Sequence, residues 1–181
     1  MLDVQLARRH GTILLLLSVV LAPAAHAETD PVETFAGSCH FHGSVRFDPP
    51  LGPSARQVTA TADATGTCDG TLQLADGSAR TLRVAPVHYR ARSAGTQSCA
   101  AADAAGTGSL DFGDAVIGFR FLERRVATIA PLTLEGTAGG LFRGTALAGG
   151  DPVAAVLACA RGSLGTVAVD ISGSTRPTLS G

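Results

Sequence analysis

The stretch Gly37–Gly52, GSCHFHGSVRFDPPLG, decides the fold. Phe41, Gly43, Val45 and Phe47 alternate with His42, Ser44 and Arg46, the period-two pattern of a strand with one buried face. Cys39 shares the apolar face with Phe41 and Phe47, so its disulfide is expected to be buried. His40 joins the outward stripe. Pro49-Pro50 removes ladder donors and is expected to end the strand, with Leu51-Gly52-Pro53-Ser54 as the connection.

Similar short runs follow. Val58, Ala60 and Ala62 alternate with Gln57, Thr59 and Thr61, and Cys68, Leu72 and Leu74 make the next inward set. Asp76-Gly77 between alternating runs is a strong hairpin signal. Beyond it come Leu82 and Val84. The parity then passes to Val87, Tyr89 and Ala91 across Pro86, which calls for a bulge or an edge position. Ser93–Thr107 reads as a small, polar loop carrying Cys99. Leu110 and Phe112, then Ile117, Phe119 and Phe121, give the most apolar strands, and Glu123-Arg124-Arg125 reads as a solvated hairpin tip. Val126–Ile129, Leu132–Leu134 and Leu141–Leu147 continue the pattern, and Val167, Val169 and Ile171 close it. Asp151-Pro152 supplies a helix N-cap and first residue, and Gly162 sits where a C′ glycine belongs. Alternation of Val153, Ala155, Leu157 and Cys159 fits a strand equally well.

The sum is an all-β chain: an antiparallel β-sandwich or β-barrel of about ten short strands, with at most one short helix near 151–161. One domain is expected over 37–173, after a signal peptide (1–27) and a lead-in (28–36), and before a C-terminal tail (174–181). The signal peptide rests on Arg8-Arg9, the apolar run Ile13–Leu21 and the small-x-small site Ala25-His26-Ala27. That run is about half the length needed to span a bilayer, so cleavage and secretion are expected rather than anchoring. The residues around the arginine pair, Ala7 and His10-Gly11, match twin-arginine export poorly, and ordinary export is favoured.

Composition excludes several function classes. The 14 basic residues, all arginine, nearly balance 15 acidic ones, which leaves no electrostatic footprint for nucleic acid. Lysine and asparagine are absent, removing Schiff-base chemistry, a P-loop lysine and N-glycosylation. There is no Trp and a single Tyr beside seven Phe, a poor set for stacking on sugars or bases. Four cysteines in an exported domain imply two disulfides, and none show C-x-x-C spacing. Three pairings are open. Cys39–Cys68 with Cys99–Cys159 is favoured, because the first would staple neighbouring strands at about 3 to 4 kcal/mol per loop in the chain-entropy model.

Candidate chemistry is sparse. His40 and His42 project from one strand face as an H-x-H pair, and His88 is the candidate third metal ligand. The plainer reading is three surface residues. Gly66-Thr67-Cys68-Asp69-Gly70 formally matches a nucleophile elbow, but it heads a hairpin and not a strand-to-helix turn. Glu123 and Glu135 are the only glutamates beyond the lead-in, and both are expected in solvent. Arg90 and Arg92, with Arg46 near, could receive an anion or simply pair with surface acids. No catalytic residue and no cofactor emerge.

The runs C-x-F-x-G-x-V-x-F-x-P-P-L (Cys39–Leu51), T-C-x-G-T-L (Thr67–Leu72), A-P-V-x-Y (Ala85–Tyr89), Ser98-Cys99, G-x-G-x-L-x-F (Gly106–Phe112) and Asp151-Pro152 with Cys159-Ala160 resemble uncharacterised secreted proteins of high-GC Gram-positive bacteria. The resemblance implies an exported β-domain and transfers no activity. The expected function is therefore a secreted, disulfide-stabilised, non-enzymatic binding or envelope-associated module, with an extracellular protein or envelope partner. One alternative is a barrel holding a small apolar ligand against Phe112, Ile117, Phe119 and Val169. The other is a metal-dependent hydrolase using His40, His42 and His88.

Overall fold

The alternation in Gly37–Gly52 extends in both directions into one long strand. In the computed structural model, which describes residues 33–126 and 128–181, this strand is β1, Thr34–Leu51. There follow β2 (Arg56–Gln73), β3 (Ala79–Gln97), β4 (Ala101–Asp111), β5 (Val116–Val126), β6 (Ile129–Gly136), β7 (Gly139–Gly149), α1 (Pro152–Ala160) and β8 (Leu164–Ser180). Each strand pairs antiparallel with the next, and β8 returns to β1, so eight strands close into a barrel without edges. The signal-peptide reading of 1–27 lies outside the described residues.

The all-β expectation resolves to a barrel, with fewer and longer strands than the turn signals suggest. Pro49-Pro50 does not end β1. The prolines follow the last β1–β2 pair, Asp48 with Thr59, and fall where the β8 register is interrupted, so no ladder donor is demanded of them. Ser93–Thr107 is no loop either. It holds the end of β3, a tight turn and most of β4, hidden in sequence because its inward positions are Ala and Gly. The domain bounds widen as well. Phe35, placed in the lead-in, and Leu179, placed in the tail, are fully buried and face each other across the β1–β8 seam.

Two local devices shape the wall. Asp69 of β2 faces both Arg83 and Val84 of β3, a bulge that moves the apolar parity from Leu82 to Val87. Val84 there adopts a positive φ of 48°, and its N–H donates to the Asp69 carboxylate at 2.9 Å. On β4, Gly106 and Gly108 lie opposite Phe121 and Phe119 of β5. A Cβ on either glycine would sit within 2.6 Å of the facing ring, so the glycines make the space in which those rings lie.

The interior is filled more fully at one end than at the other, where Phe47, Leu51 and Val58 form a smaller cluster. Phe35, Leu72, Leu82, Leu110, Phe112, Ile117, Leu134, Phe142 and Leu179 pack the end where β1 begins and β8 finishes. At that other end many inward positions are small: Ala60 and Ala62 on β2, Ala91 and Ser93 on β3, Ala130 on β6, Ala146 on β7. Cys39 and Cys68, directly opposite on β1 and β2, are disulfide-bonded and buried in the packed core. Cys99, in the β3–β4 turn, is bonded to Cys159 of α1. Two disulfides are consistent with an oxidising extracellular environment. Among the described residues no helix is long and apolar enough to cross a membrane.

Candidate functional site

The small inward residues leave a cavity of about 960 Å³, at the upper end of the range for ligand sites. Its walls include Val45, Phe47, Tyr89, Phe121, Leu132, Val167, Val169 and Ile171. Of the four residues expected to line it, only Val169 does. Phe112, Ile117 and Phe119 are buried, but they belong to the packed core and not to the cavity wall.

Helix α1 covers the mouth. Asp151 caps it, accepting from Val153 N–H at 2.8 Å and Ala154 N–H at 3.3 Å, and Pro152 opens the first turn. It ends in a Schellman arrangement: Gly162, at φ 66°, donates to Cys159 C=O and Ser163 N–H to Ala158 C=O. Ala154, Ala155, Ala158 and Cys159 face the cavity, yet no α1 residue is buried, and Val153, Val156 and Leu157 stand half or more exposed. The helix is thus held chiefly by its two chain connections and the Cys99 bridge.

Beside Thr128, Asp151, Ser163 and Thr166, the polar lining includes Tyr89 and Ser93 of β3 and Glu123 and Arg125 of β5. Alternation along β5 carries Phe119, Phe121, Glu123 and Arg125 inward in turn, which corrects the expectation of a solvated hairpin tip. Glu123 and Arg125 are 15% and 14% exposed and pair at 3.5 Å. Arg125 also donates to Ser98 C=O at 2.9 Å and Cys99 C=O at 3.0 Å, tying the wall to the turn that anchors the helix. Ser93 Oγ lies 3.5 Å from Glu123. Tyr89 is 3% exposed, stacks on Phe119, and its hydroxyl meets no hydrogen-bond partner among the described residues. Burial, aided by the Glu123 charge, pushes the Tyr89 hydroxyl well above its ordinary pKa, so it stays protonated as a donor. Glu123, Arg125, Tyr89 and Ser93 were legible only as inward parity. The charge run itself argued the other way.

The remaining candidates lie outside the wall. His40 and His42 project outward from β1 with ring centroids 4.4 Å apart. Asp170 of β8, directly opposite His42, hydrogen-bonds His42 Nδ1 through Oδ1. His40, His42 and Asp170 each offer a ligand atom within 4.8 Å of the others. His88 is not with them. It stands on β3, beyond the intervening β2 strand, with Nε2 2.9 Å from Asp63. Arg90 lies 3.9 Å from that same Asp63. Glu135 is outside, bidentate with Arg120 at 2.9 and 3.1 Å. Those hydrogen bonds and the Arg120 charge hold its carboxyl below the usual range. Glu123 and Glu135 are thus on opposite faces of the wall and cannot flank one bond. Cys68 of the elbow-like run is mid-strand and disulfide-bonded. No family model matches the chain, and no curated protein or solved structure matches it.

Proposed function

We propose that this chain is an exported binding module whose barrel takes up one small, neutral, largely apolar molecule with a single polar end. The supporting observation is the cavity of about 960 Å³ under α1, floored by aromatic side chains and widened by alanines on several strands. Entry of an apolar ligand releases water from both surfaces at about 25 cal/mol per Å² buried. Glu123 and Arg125 offset each other in charge, which disfavours a ligand carrying either sign. The unpartnered Tyr89 hydroxyl, close to Glu123, offers a donor beside an acceptor, suited to a ligand hydroxyl or carbonyl.

The test is fluorescence titration with phenylnaphthylamine, a neutral apolar dye. Saturable enhancement at one dye per chain is expected, with Ala146→Phe removing it at an unchanged far-ultraviolet spectrum. No saturable dye binding, or full binding by Ala146→Phe, refutes the reading.

A further inference from the structure

The outer wall carries a second arrangement, unrelated to the cavity. His40 and His42 stand at i and i+2 on β1, and Asp170 comes from β8, 128 residues further along the chain than His42. These two strands are the ones whose pairing closes the barrel. We propose that His40, His42 and Asp170 form a binding site for a divalent first-row transition ion, zinc or copper(II), that clasps the β1–β8 seam.

Geometry carries the proposal. Donors bonded at about 2.1 Å to one ion lie about 3.4 Å apart when tetrahedral and at most about 4.2 Å apart when trans. The three candidate donors already lie within 4.8 Å of one another, close to that spacing. Two imidazoles and a carboxylate are borderline ligands, suited to zinc, copper or nickel and not to calcium or magnesium, which take oxygen alone. The exposure of His42 and Asp170, 66% and 46%, leaves solvent to complete the coordination shell.

The surroundings leave the carboxylate available. Across β2 the outward neighbours of His42 and His40 are Thr65 and Thr67, and across β8 the partner of His40 is Ser172. None of these carries a charge. Among the described residues the ion pair recorded for Asp170 is with His42. That contact already brings the two side chains together. A divalent ion that takes both replaces the hydrogen bond between them, the neutral imidazole keeping its one N–H on the nitrogen that faces away from the ion.

Placement on the seam distinguishes this site from scattered surface histidines. Its ligands converge only when β8 lies against β1, so the ion binds the closed barrel and not the unfolded chain. Binding confined to the native state raises the melting temperature with ion concentration.

The test uses the untagged chain and the metals alone. Zinc chloride should bind at one ion per chain and raise the melting temperature, and the bound copper(II) spectrum should show coupling to two imidazole nitrogens. His40→Gln and Asp170→Asn, both at exposed positions, should each weaken zinc at least about tenfold, and His88→Gln should not. The proposal is overturned if zinc leaves the melting temperature unchanged or if His40→Gln binds as the parent does. Equal weakening by His88→Gln, or equal binding to the urea-unfolded chain, also overturns it.

Discussion

Ala62 and Ala64 are successive inward residues of β2, one at the cavity and one in the packed core, so the same substitution at each should change stability in opposite directions. Ala62 is paired with Val45 on β1 and Ala91 on β3, and all three line the cavity. Leucine there adds three carbons that replace water or empty space. At about 0.8 kcal/mol per buried methylene the transfer gain is about 2.4 kcal/mol. Side-chain entropy takes back about 0.5 to 1 kcal/mol. The net is a stabilisation of about 1.5 to 2 kcal/mol, or about 3 to 8 °C in Tm for a domain of this size. Ala64 is 2% exposed and faces Gly43, where even an added Cβ would come within 2.5 Å of it. Leucine at 64 should cost about 1 to 3 kcal/mol through overpacking. Urea unfolding of both variants, with the slope compared to confirm an unchanged transition, measures the pair. If Ala62→Leu destabilises as much as Ala64→Leu, the space is not there and the binding proposal loses its basis.

Tyr89 is the chain's only tyrosine, with no tryptophan beside it, so ultraviolet titration reports this one hydroxyl. Its folded pKa is raised above the unfolded value. The stability it lends is therefore complete below about pH 10 and declines above that by about 1.4 kcal/mol per pH unit, as the unfolded chain alone releases the proton. Phenolate absorbance should appear only together with loss of the barrel's circular dichroism, and ionisation near the ordinary pKa in a folded barrel would refute the burial argument. Replacing both Cys99 and Cys159 by alanine frees α1 from the mouth. The loop closed over 60 residues bounds the stability loss at about 4 kcal/mol in the chain-entropy model. Dye release measured by stopped flow should quicken, and an unchanged rate would show that the helix does not cover the entrance.

Strand character and facing were readable wherever large apolar residues alternate with polar ones. The Gly37–Gly52 pattern placed Cys39, Phe41 and Phe47 inward and His40 and His42 outward, and the structure has them so. The helix was only half readable: Asp151, Pro152 and Gly162 each satisfy a terminal requirement, but the alternation of Val153, Ala155, Leu157 and Cys159 left a strand equally open. What escaped was whatever depended on small residues. Alanine and glycine carry little strand signal, so β4 looked like a loop. An alanine-lined cavity leaves no mark in sequence, since an absent side chain looks the same whether its neighbours fill the space or not. Glu123 and Arg125 were misread because charge normally marks solvent, and only their parity with Phe119 and Phe121 betrayed an inward position. Asp170 could not be joined to His40 and His42 without the seam pairing, which no local pattern encodes.

That seam has one further consequence. Thr34 and Ser180, near opposite ends of the described chain, are paired residues. Every other pairing joins strands consecutive in sequence, so the strand order is a cycle with no intrinsic beginning. A circular permutant with its ends joined and a new opening at the β5–β6 turn retains every ladder. It converts the one long-range closure into a local hairpin and makes β5–β6 the last pair to meet. The place at which the cycle is opened then governs the order in which the wall assembles, and leaves the finished wall the same.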